Sequence, residues 1–153
     1  RLDRARVPGD AAFRAFTPEH LYRTDETFEV GSPLLVIGFP LGFHDTLHNV
    51  PVARPAILAS AFGLRFQGHG YFLTDARTHR GASGAPVVLR AHGEHADDPL
   101  PWRLLGVHSS RIDAARDLAQ DEALGLNSAW YADVIRTLTD PRPGTVPARE
   151  GAA

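Results

Sequence analysis

The chain carries the sequence Gly81-Ala82-Ser83-Gly84-Ala85-Pro86 near its middle. A serine between glycines, with a proline three residues later, is typical of a sharp loop that presents a hydroxyl group and unhindered backbone N–H groups. The apolar residues 87–89 follow directly and predict a strand after the loop. Ser83 is therefore the candidate nucleophile of this chain.

Two kinds of hydrolase place a serine among glycines, and the residues after Ser83 separate them. The first kind has Gly-x-Ser-x-Gly between a strand and a helix, but here Ala85 stands at the second glycine and a β-branched run follows. In the second kind the loop joins two strands of a barrel, and the N–H groups of Gly81 and Ser83 form an oxyanion hole for a substrate carbonyl. The sequence favours the second arrangement.

The hexapeptide, preceded by Thr74-Asp75-Ala76 and followed by residues 105–110, resembles the nucleophile half of trypsin-like serine peptidases. The resemblance is greatest to the bacterial HtrA-like and glutamyl endopeptidase branches, and it covers about Val30 to Leu138. A second matching motif, at residues 38–42 (Gly-Phe-Pro-Leu-Gly), ends an early strand of the second barrel in such bacterial members.

The sequence departs from the family pattern at two positions of the serine loop. Ala82 stands where activated trypsin-like enzymes have an aspartate, and Ala85 stands where a glycine is usual. The first departure argues against activation by a cleaved amino terminus that inserts into the domain.

The expected fold is all-β, an antiparallel six-stranded Greek-key barrel with a C-terminal helix. By the resemblance this is the second barrel of a chymotrypsin-like fold, with an inter-barrel connector at residues 1–27, the C-terminal barrel at residues 28–139 and a disordered tail at residues 140–153. Strands are predicted within residues 34–37, 52–66, 71–74, 87–90, 102–107 and 124–126. Asn127 or Ser128 is expected to cap a helix with Trp130, Val134 and Leu138 on one face.

Composition limits the function classes. A chain of 153 residues with 43% apolar and 22% charged residues is of ordinary globular composition and fits one domain. A formal net charge of -2 provides no basic face for nucleic acid, and no apolar run reaches the length of a membrane span. Neither nucleic acid nor a membrane is an expected partner.

Cysteine, methionine and lysine are missing from the chain. It has no cysteine, so disulfides and thiolate zinc sites are not available and the cellular compartment stays unknown. It also has no methionine, so residue 1 is expected to be a processing product or a cut through a longer protein. The exclusive use of arginine as the basic residue, with abundant alanine, glycine and proline, indicates a bacterial gene rich in G and C.

Two histidine clusters raise the question of a metal. His44 and His48 are four residues apart like the ligands of a zinc-protease helix, but the surrounding glycines and prolines leave scarcely two helical turns. His92, His95 and Asp97 lie in a polar, turn-rich segment that is more typical of a solvated loop. We expect neither a metal nor a cofactor.

A serine hydroxyl is a weak nucleophile without a base within hydrogen-bond reach. His79 and Asp75 are spaced four residues apart before Ser83, but so tight a loop should direct His79 away from the hydroxyl group. In the family, the base histidine and its aspartate belong to a first barrel that would precede Arg1, and Asp3 is expected to be merely solvated. The chain alone is therefore expected to be nearly inert, with the N-terminal barrel of the same protein and a peptide or protein substrate as its partners.

The resemblance also implies a substrate preference. Thr78 and His108 stand where glutamyl endopeptidases bind the carboxylate of the substrate side chain, and Arg77, His79 and Arg80 are expected to add positive charge nearby. Hydroxyl and imidazole donors suit an acidic or amide side chain, which predicts Glu, Gln or Asp before the scissile bond. The alternative is that His108 is a buried, hydrogen-bonded strand residue. Ser109 and Ser110 would offer backbone groups for antiparallel pairing with the substrate.

Two other functions remain open from the sequence. The chain could belong to a catalytically inactive pseudo-peptidase that binds peptides in the same cleft. It could also belong to an esterase-like serine hydrolase, which requires Ser83 to precede a helix.

Overall fold

Short apolar runs bounded by glycine and proline form six strands. A computed structural model describes residues 6, 9, 14–23, 25–91, 98–112 and 124–139. In chain order the strands are β1 (Pro33–Gly38), β2 (Val52–Ile57), β3 (Tyr71–Thr74), β4 (Pro86–Arg90), β5 (Trp102–Arg111) and β6 (Asn127–Tyr131), followed by helix α1 (Asp133–Thr139). They form one antiparallel sheet in the order β2-β1-β4-β5-β6-β3. The predicted all-β, six-stranded antiparallel fold with a C-terminal helix is confirmed.

The serine loop is the long connection of a Greek key. Strands β4, β5 and β6 are successive antiparallel neighbours and β3 lies beside β6, so residues 75–85 cross the end of these strands from β3 to β4. The sheet closes where Leu58 and Thr74 form an antiparallel bridge and the Ala59 amide donates to the Leu73 carbonyl at 2.8 Å. The loop therefore lies across one end of a closed barrel.

Both faces of β1 are covered, which explains its continuous apolar sequence. Leu34 and Val36 belong to the buried interior of the barrel. Leu35 and Ile37 alternate with them and pack in a second cluster on the outer face, which includes Ile135 of helix α1. A strand that is buried on both faces shows an apolar run instead of an alternating pattern.

The described part of the predicted connector packs on the barrel. Leu21 forms a bridge with Leu104 of β5. The guanidinium of Arg103, which is only 5% exposed, forms an ion pair with Glu26 and donates to the Glu19 carbonyl. The domain boundaries at residues 27 and 139 stay predictions, and residues 140–153 lie outside the described residues. Within the described residues, no helix has the length and apolar character that crossing a membrane requires.

The prediction for the C-terminal elements is wrong in detail. The last strand is Asn127–Tyr131 instead of residues 124–126, and α1 begins only at Asp133. The strand pairs with β5 on one edge and β3 on the other, so long-range hydrogen bonds override the local helical spacing. Leu138 is 79% exposed and therefore does not belong to a buried helix face.

The second strand is shorter than the predicted segment of residues 52–66. It ends at Ile57, and a single 3-10 turn, Phe66–Gly68, precedes β3. Beyond Ile57 the chain leaves β1 and crosses to β3, and Phe62 turns inward to join the aromatic interior.

Candidate active site

The serine loop is a bend formed by two glycines. Gly81 and Gly84 have φ angles of +87° and +88°, in the left-handed region that side chains disfavour. Ser83 lies between them and is exposed. Two backbone hydrogen bonds of 2.8 Å, from Gly84 to the His108 carbonyl and from His108 to the Ala85 carbonyl, hold the bend against β5. The backbone thus presents the Ser83 side chain at the surface.

Ser83 precedes a strand and not a helix. β4 begins at Pro86, directly after the bend. The strand–serine–helix arrangement of an esterase-like hydrolase is therefore absent, and the structure contradicts that alternative.

The Gly81 amide has a defined direction. The Leu41 amide donates to the Arg80 carbonyl at 2.6 Å. Because a trans peptide is planar with its N–H and C=O opposed, the Gly81 N–H points away from Leu41. Among the described residues, neither the Gly81 N–H nor the Ser83 N–H donates a hydrogen bond to another group. The bend therefore carries two amide donors available to a ligand.

The Ser83 hydroxyl donates to the Ser109 carbonyl at 2.6 Å. A carbonyl oxygen cannot serve as a base, so this contact does not activate the serine. The local Asp75–His79–Ser83 alternative does not form, because the Asp75 carboxylate accepts the Ile57 amide at 2.6 Å and His79 bonds to neither partner. In the described part of the chain, no histidine or carboxylate lies within hydrogen-bond distance of the hydroxyl.

A cavity of about 470 Å³ opens beside the bend. Its lining brings together five residues that the sequence predicts for the site, namely Thr78, Ser83, His108, Ser109 and Ser110, and it adds Leu41 and Arg111, which sequence reasoning did not assign. The described lining residues are Leu41, Thr78, His79, Arg80, Ser83, His108, Ser109, Ser110 and Arg111. None of these described side chains is acidic, so the cavity favours a neutral or negatively charged ligand group.

Asn127 is a further residue at the site that the sequence did not reveal. Its amide group donates to the Ala76 carbonyl at 2.5 Å, which turns its carbonyl oxygen toward Thr78. The Thr78 hydroxyl donates to that oxygen at 2.7 Å. The Thr78 proton is thus engaged, and the hydroxyl must rotate before it can donate to a substrate. The pairing of β6 with β3 and β5 brings Asn127 here, so no local signal in the sequence indicates it.

His108 lies in β5 next to a register shift between His108 and Ser110. It is 3% exposed, and its Nδ1 atom has no hydrogen-bond partner among the described residues. Burial lowers the pKa of the imidazole below its usual value of 6.5, so His108 is neutral at neutral pH. A neutral imidazole can donate one hydrogen bond into the cavity. His108 is therefore buried, as the alternative of a purely structural strand residue requires. Its Nδ1 atom, however, lacks the hydrogen bond that this alternative also requires, at least within the described residues.

The histidine clusters show no metal-site geometry where the structure describes them. His44 lies in a bend and His48 in a turn, so neither is in a helix, and His48 Nδ1 contacts the Asp45 carboxylate at 2.7 Å. No group of three or more potential ligands is present among the described residues. Residues 92–97 and Asp3 lie outside them.

No protein-family model and no characterised protein matches the chain. Solved structures do match it. A mutant of Rv3671c from M. tuberculosis in its inactive form is 17% identical, with a TM-score of 0.48, over 79% of this chain and 55% of that chain. The active form of the Rv3671c protease is 18% identical, with a TM-score of 0.47, over 76% and 45%. The inactive form is 19% identical, with a TM-score of 0.47, over 76% and 52%.

The chain therefore spans about half the length of these structures. Likenesses of this extent assign no activity to the chain. They also do not place it in the HtrA-like or the glutamyl endopeptidase branch.

Replacing Gly81 with alanine is expected to destabilise the chain more than the same change at Gly84. Both variants carry a left-handed backbone penalty of about 1 kcal/mol. A Cβ atom at Gly81 would also lie 3.0 Å from the Phe39 carbonyl oxygen and 3.1 Å from the Leu41 nitrogen, whereas nothing lies within 4 Å of one at Gly84. Urea denaturation should show an additional loss of about 1–3 kcal/mol for Gly81→Ala. Equal losses would contradict the close contact between the two loops.

His108 is expected to make the stability of the folded chain depend on pH, with lower stability at acidic pH. Burial lowers the pKa of His108 in the folded chain, so below pH 6.5 the unfolded chain takes up a proton that the folded chain does not. The free energy of unfolding is therefore greatest above pH 6.5 and decreases as the pH falls below it. The midpoint temperature of thermal unfolding should be lower at about pH 5 than at about pH 7, and His108→Gln should reduce this difference. His79→Gln, which removes an exposed histidine, serves as the control. A pH profile that is identical in His108→Gln and the unmodified chain would refute the burial effect.

Proposed function

We propose that this chain is the nucleophile-bearing barrel of a serine endopeptidase, with Ser83 as the nucleophile. The observation that carries the proposal is the bend itself, in which an exposed serine lies between two left-handed glycines and two amides beside it have no hydrogen-bond partner among the described residues. The amides of Gly81 and Ser83 form the proposed oxyanion hole. The adjoining cavity provides room for a substrate side chain.

In the proposed reaction, the Ser83 oxygen attacks the carbonyl carbon of a peptide bond while its proton passes to a general base. The carbonyl oxygen becomes an oxyanion that accepts hydrogen bonds from the two amides. The C–N bond then breaks, the base returns the proton to the leaving amine, and the acyl group remains on Ser83 as an ester. Water, deprotonated by the same base, attacks the ester carbonyl. The bond between the acyl carbon and Ser83 Oγ breaks, the carboxylic acid leaves, and the base returns the proton to Ser83 Oγ. No metal or cofactor takes part.

The base is proposed to come from an N-terminal barrel of the same protein. None of the described side chains accepts the Ser83 proton, and the resemblance implies a histidine and an aspartate from a preceding barrel. Without a base, an oxyanion hole and binding contacts retain only about 10³–10⁴-fold acceleration over water. We therefore propose that activity requires both barrels.

A Glu, Gln or Asp side chain before the scissile bond is the proposed preference. The neutral imidazole of His108 can donate to a carboxylate or a carboxamide, and Arg80 lies in the same lining. Thr78 adds a hydroxyl donor once it rotates away from Asn127. Binding a carboxylate would in turn stabilise the protonated form of His108, so affinity for an acidic side chain should increase as the pH decreases.

The substrate backbone is proposed to pair with the end of β5. Strand β4 begins opposite Val107 of β5, so its ladder does not extend along Ser109 and Ser110. An extended peptide can form main-chain hydrogen bonds with such an edge. This pairing would direct the side chain before the scissile bond into the cavity.

A peptide-binding module without catalysis is the second candidate. It is favoured by the hydrogen bond of Ser83 to the Ser109 carbonyl, because the hydroxyl contacts no base within the described residues. The same cleft and strand edge would bind the peptide.

Fluorophosphonate labelling of the full-length protein distinguishes the two candidates. The peptidase proposal predicts covalent modification of Ser83, no modification of Ser83→Ala, and normal modification of the control Ser32→Ala. Folded full-length protein that stays unlabelled would establish the binding module instead.

Cleavage of peptides that differ only in the residue before the scissile bond tests the substrate preference. With the full-length protein, kcat/KM should be about tenfold or more higher after Glu than after Lys, because the described cavity lining offers donors and no carboxylate. His108→Phe should reduce this ratio. A preference for Lys would rule out the assigned role of the cavity.

A further inference from the structure

Four aromatic rings form a surface on the outside of the barrel. Trp130 of β6 and Tyr71 of β3 are cross-strand partners, and their ring centroids are 6.2 Å apart. His69 stacks on Tyr71 at 5.6 Å with only 5° between the ring planes, and the Phe66 ring lies 6.2 Å from Tyr71. These four rings are the aromatic platform. None of them belongs to the described lining of the cavity beside Ser83.

Trp130 is held in place by packing but is half exposed. Its neighbours Ala129 and Tyr131 belong to the barrel interior, so the alternation of a strand points Trp130 outward. A Cβ atom at Gly70 would lie only 2.8 Å from Cζ3 of the indole, so the ring packs directly on the glycine. Trp130 nevertheless stays 45% exposed. The described residues thus leave a fixed apolar ring whose further burial would be favourable.

The chain carries a matching ligand after helix α1. Clustered aromatic side chains on a protein surface are a recurrent binding site for proline-rich segments in the polyproline II conformation. Residues 140–147 read Asp-Pro-Arg-Pro-Gly-Thr-Val-Pro. They lie outside the described residues, and the sequence predicts disorder for them. Because polyproline II needs no hydrogen bonds within the segment, a segment that is disordered alone can adopt it when it binds.

Helix α1 starts next to the platform. The Asp133 carboxylate accepts a hydrogen bond from Arg65 at 2.8 Å, and the other terminal nitrogen of Arg65 lies 3.3 Å from the Cβ position of Gly70, against which Trp130 packs. The helix has seven residues, so its end is about 10 Å from this point.

The length of the segment after α1 decides which prolines reach the platform. Extended chain covers about 3.3–3.6 Å per residue, so Pro141 lies at most about 7 Å from Thr139 and cannot return along the whole helix. Pro143 reaches about 13–14 Å and Pro147 about 26–29 Å. The second and third prolines of the segment can therefore contact the aromatic rings.

We propose that residues 140–147 bind the aromatic platform of their own chain, with Pro143 and Pro147 packed on its rings. A short tether provides an effective concentration on the order of 1 mM. A segment that binds with a dissociation constant of about 100 µM as a free peptide would therefore occupy the platform about ten times as often as it leaves it open. The contact does not depend on the chemistry of Ser83.

The indole N–H signal of Trp130 in the ¹⁵N–¹H NMR spectrum of the full-length protein tests the proposal, with Trp130→Phe identifying the signal. The double variant Pro143→Ala/Pro147→Ala should shift this signal, because the platform loses its ligand. A free peptide with the sequence of residues 140–149, added at about 1 mM, should then return the signal to its position in the unmodified protein. The same peptide with alanine at both prolines should not.

Pro141→Ala is the matched control. It makes the same change in the same segment, at a proline that does not reach the platform, so the Trp130 signal should keep its position.

Four results would overturn the proposal. An unchanged Trp130 signal in the double variant shows that the segment does not cover the platform, and an equal shift in Pro141→Ala refutes the assigned contacts. A signal that moves when the unmodified protein is diluted identifies a second copy as the occupant. A shift of the unmodified protein on addition of the free peptide shows that the platform is vacant. Fluorophosphonate labelling of Ser83 stays unaffected in all four, so the peptidase proposal is tested separately.

Discussion

The hydrogen bond from the Leu41 amide to the Arg80 carbonyl sets the direction in which the Gly81 amide faces. If the peptide between Arg80 and Gly81 were rotated by half a turn, it would present a carbonyl oxygen where the proposed site needs a donor. Two partial negative charges would then face each other, and an oxyanion would be destabilised. The proposed chemistry of Ser83 thus depends on one contact between two loops, made by Leu41 and Arg80, which are 39 residues apart in sequence.

The sheet order produces this contact. β1 and β4 are antiparallel neighbours, with Leu35 opposite Val88 and Val36 opposite Val87. The end of β1 therefore lies beside the start of β4, and a Cβ atom at Gly38 would come within 3.2 Å of Ala85. The two glycine-rich motifs, at residues 38–42 and 81–86, meet because the Greek key places their strands side by side. The barrel thus positions the site, because the end of β1 and the start of β4 hold the two loops next to each other.

Local chemistry made the serine bend and most strands predictable. The left-handed glycines at 81 and 84 and the doubly buried β1 follow from residue types at short range. The sequence predicts a helix from Asn127 to Leu138 because Trp130, Val134 and Leu138 have helical spacing. This prediction is wrong, since pairing on both edges makes residues 127–131 a strand. The same pairing brings Asn127 to Thr78. The Leu41 contact was also beyond sequence reasoning, since it requires the register of two separate strands.

A crystal structure of the full-length protein, trapped with a peptide phosphonate that ends in a glutamate analogue, tests the central claim most directly. The phosphorus should be bonded to Ser83 Oγ, and one phosphonyl oxygen should lie about 2.7–3.1 Å from the backbone nitrogens of both Gly81 and Ser83. An adduct whose oxygen faces away from these two amides, or an Arg80 carbonyl turned toward it, would contradict the assignment of this bend as an oxyanion hole.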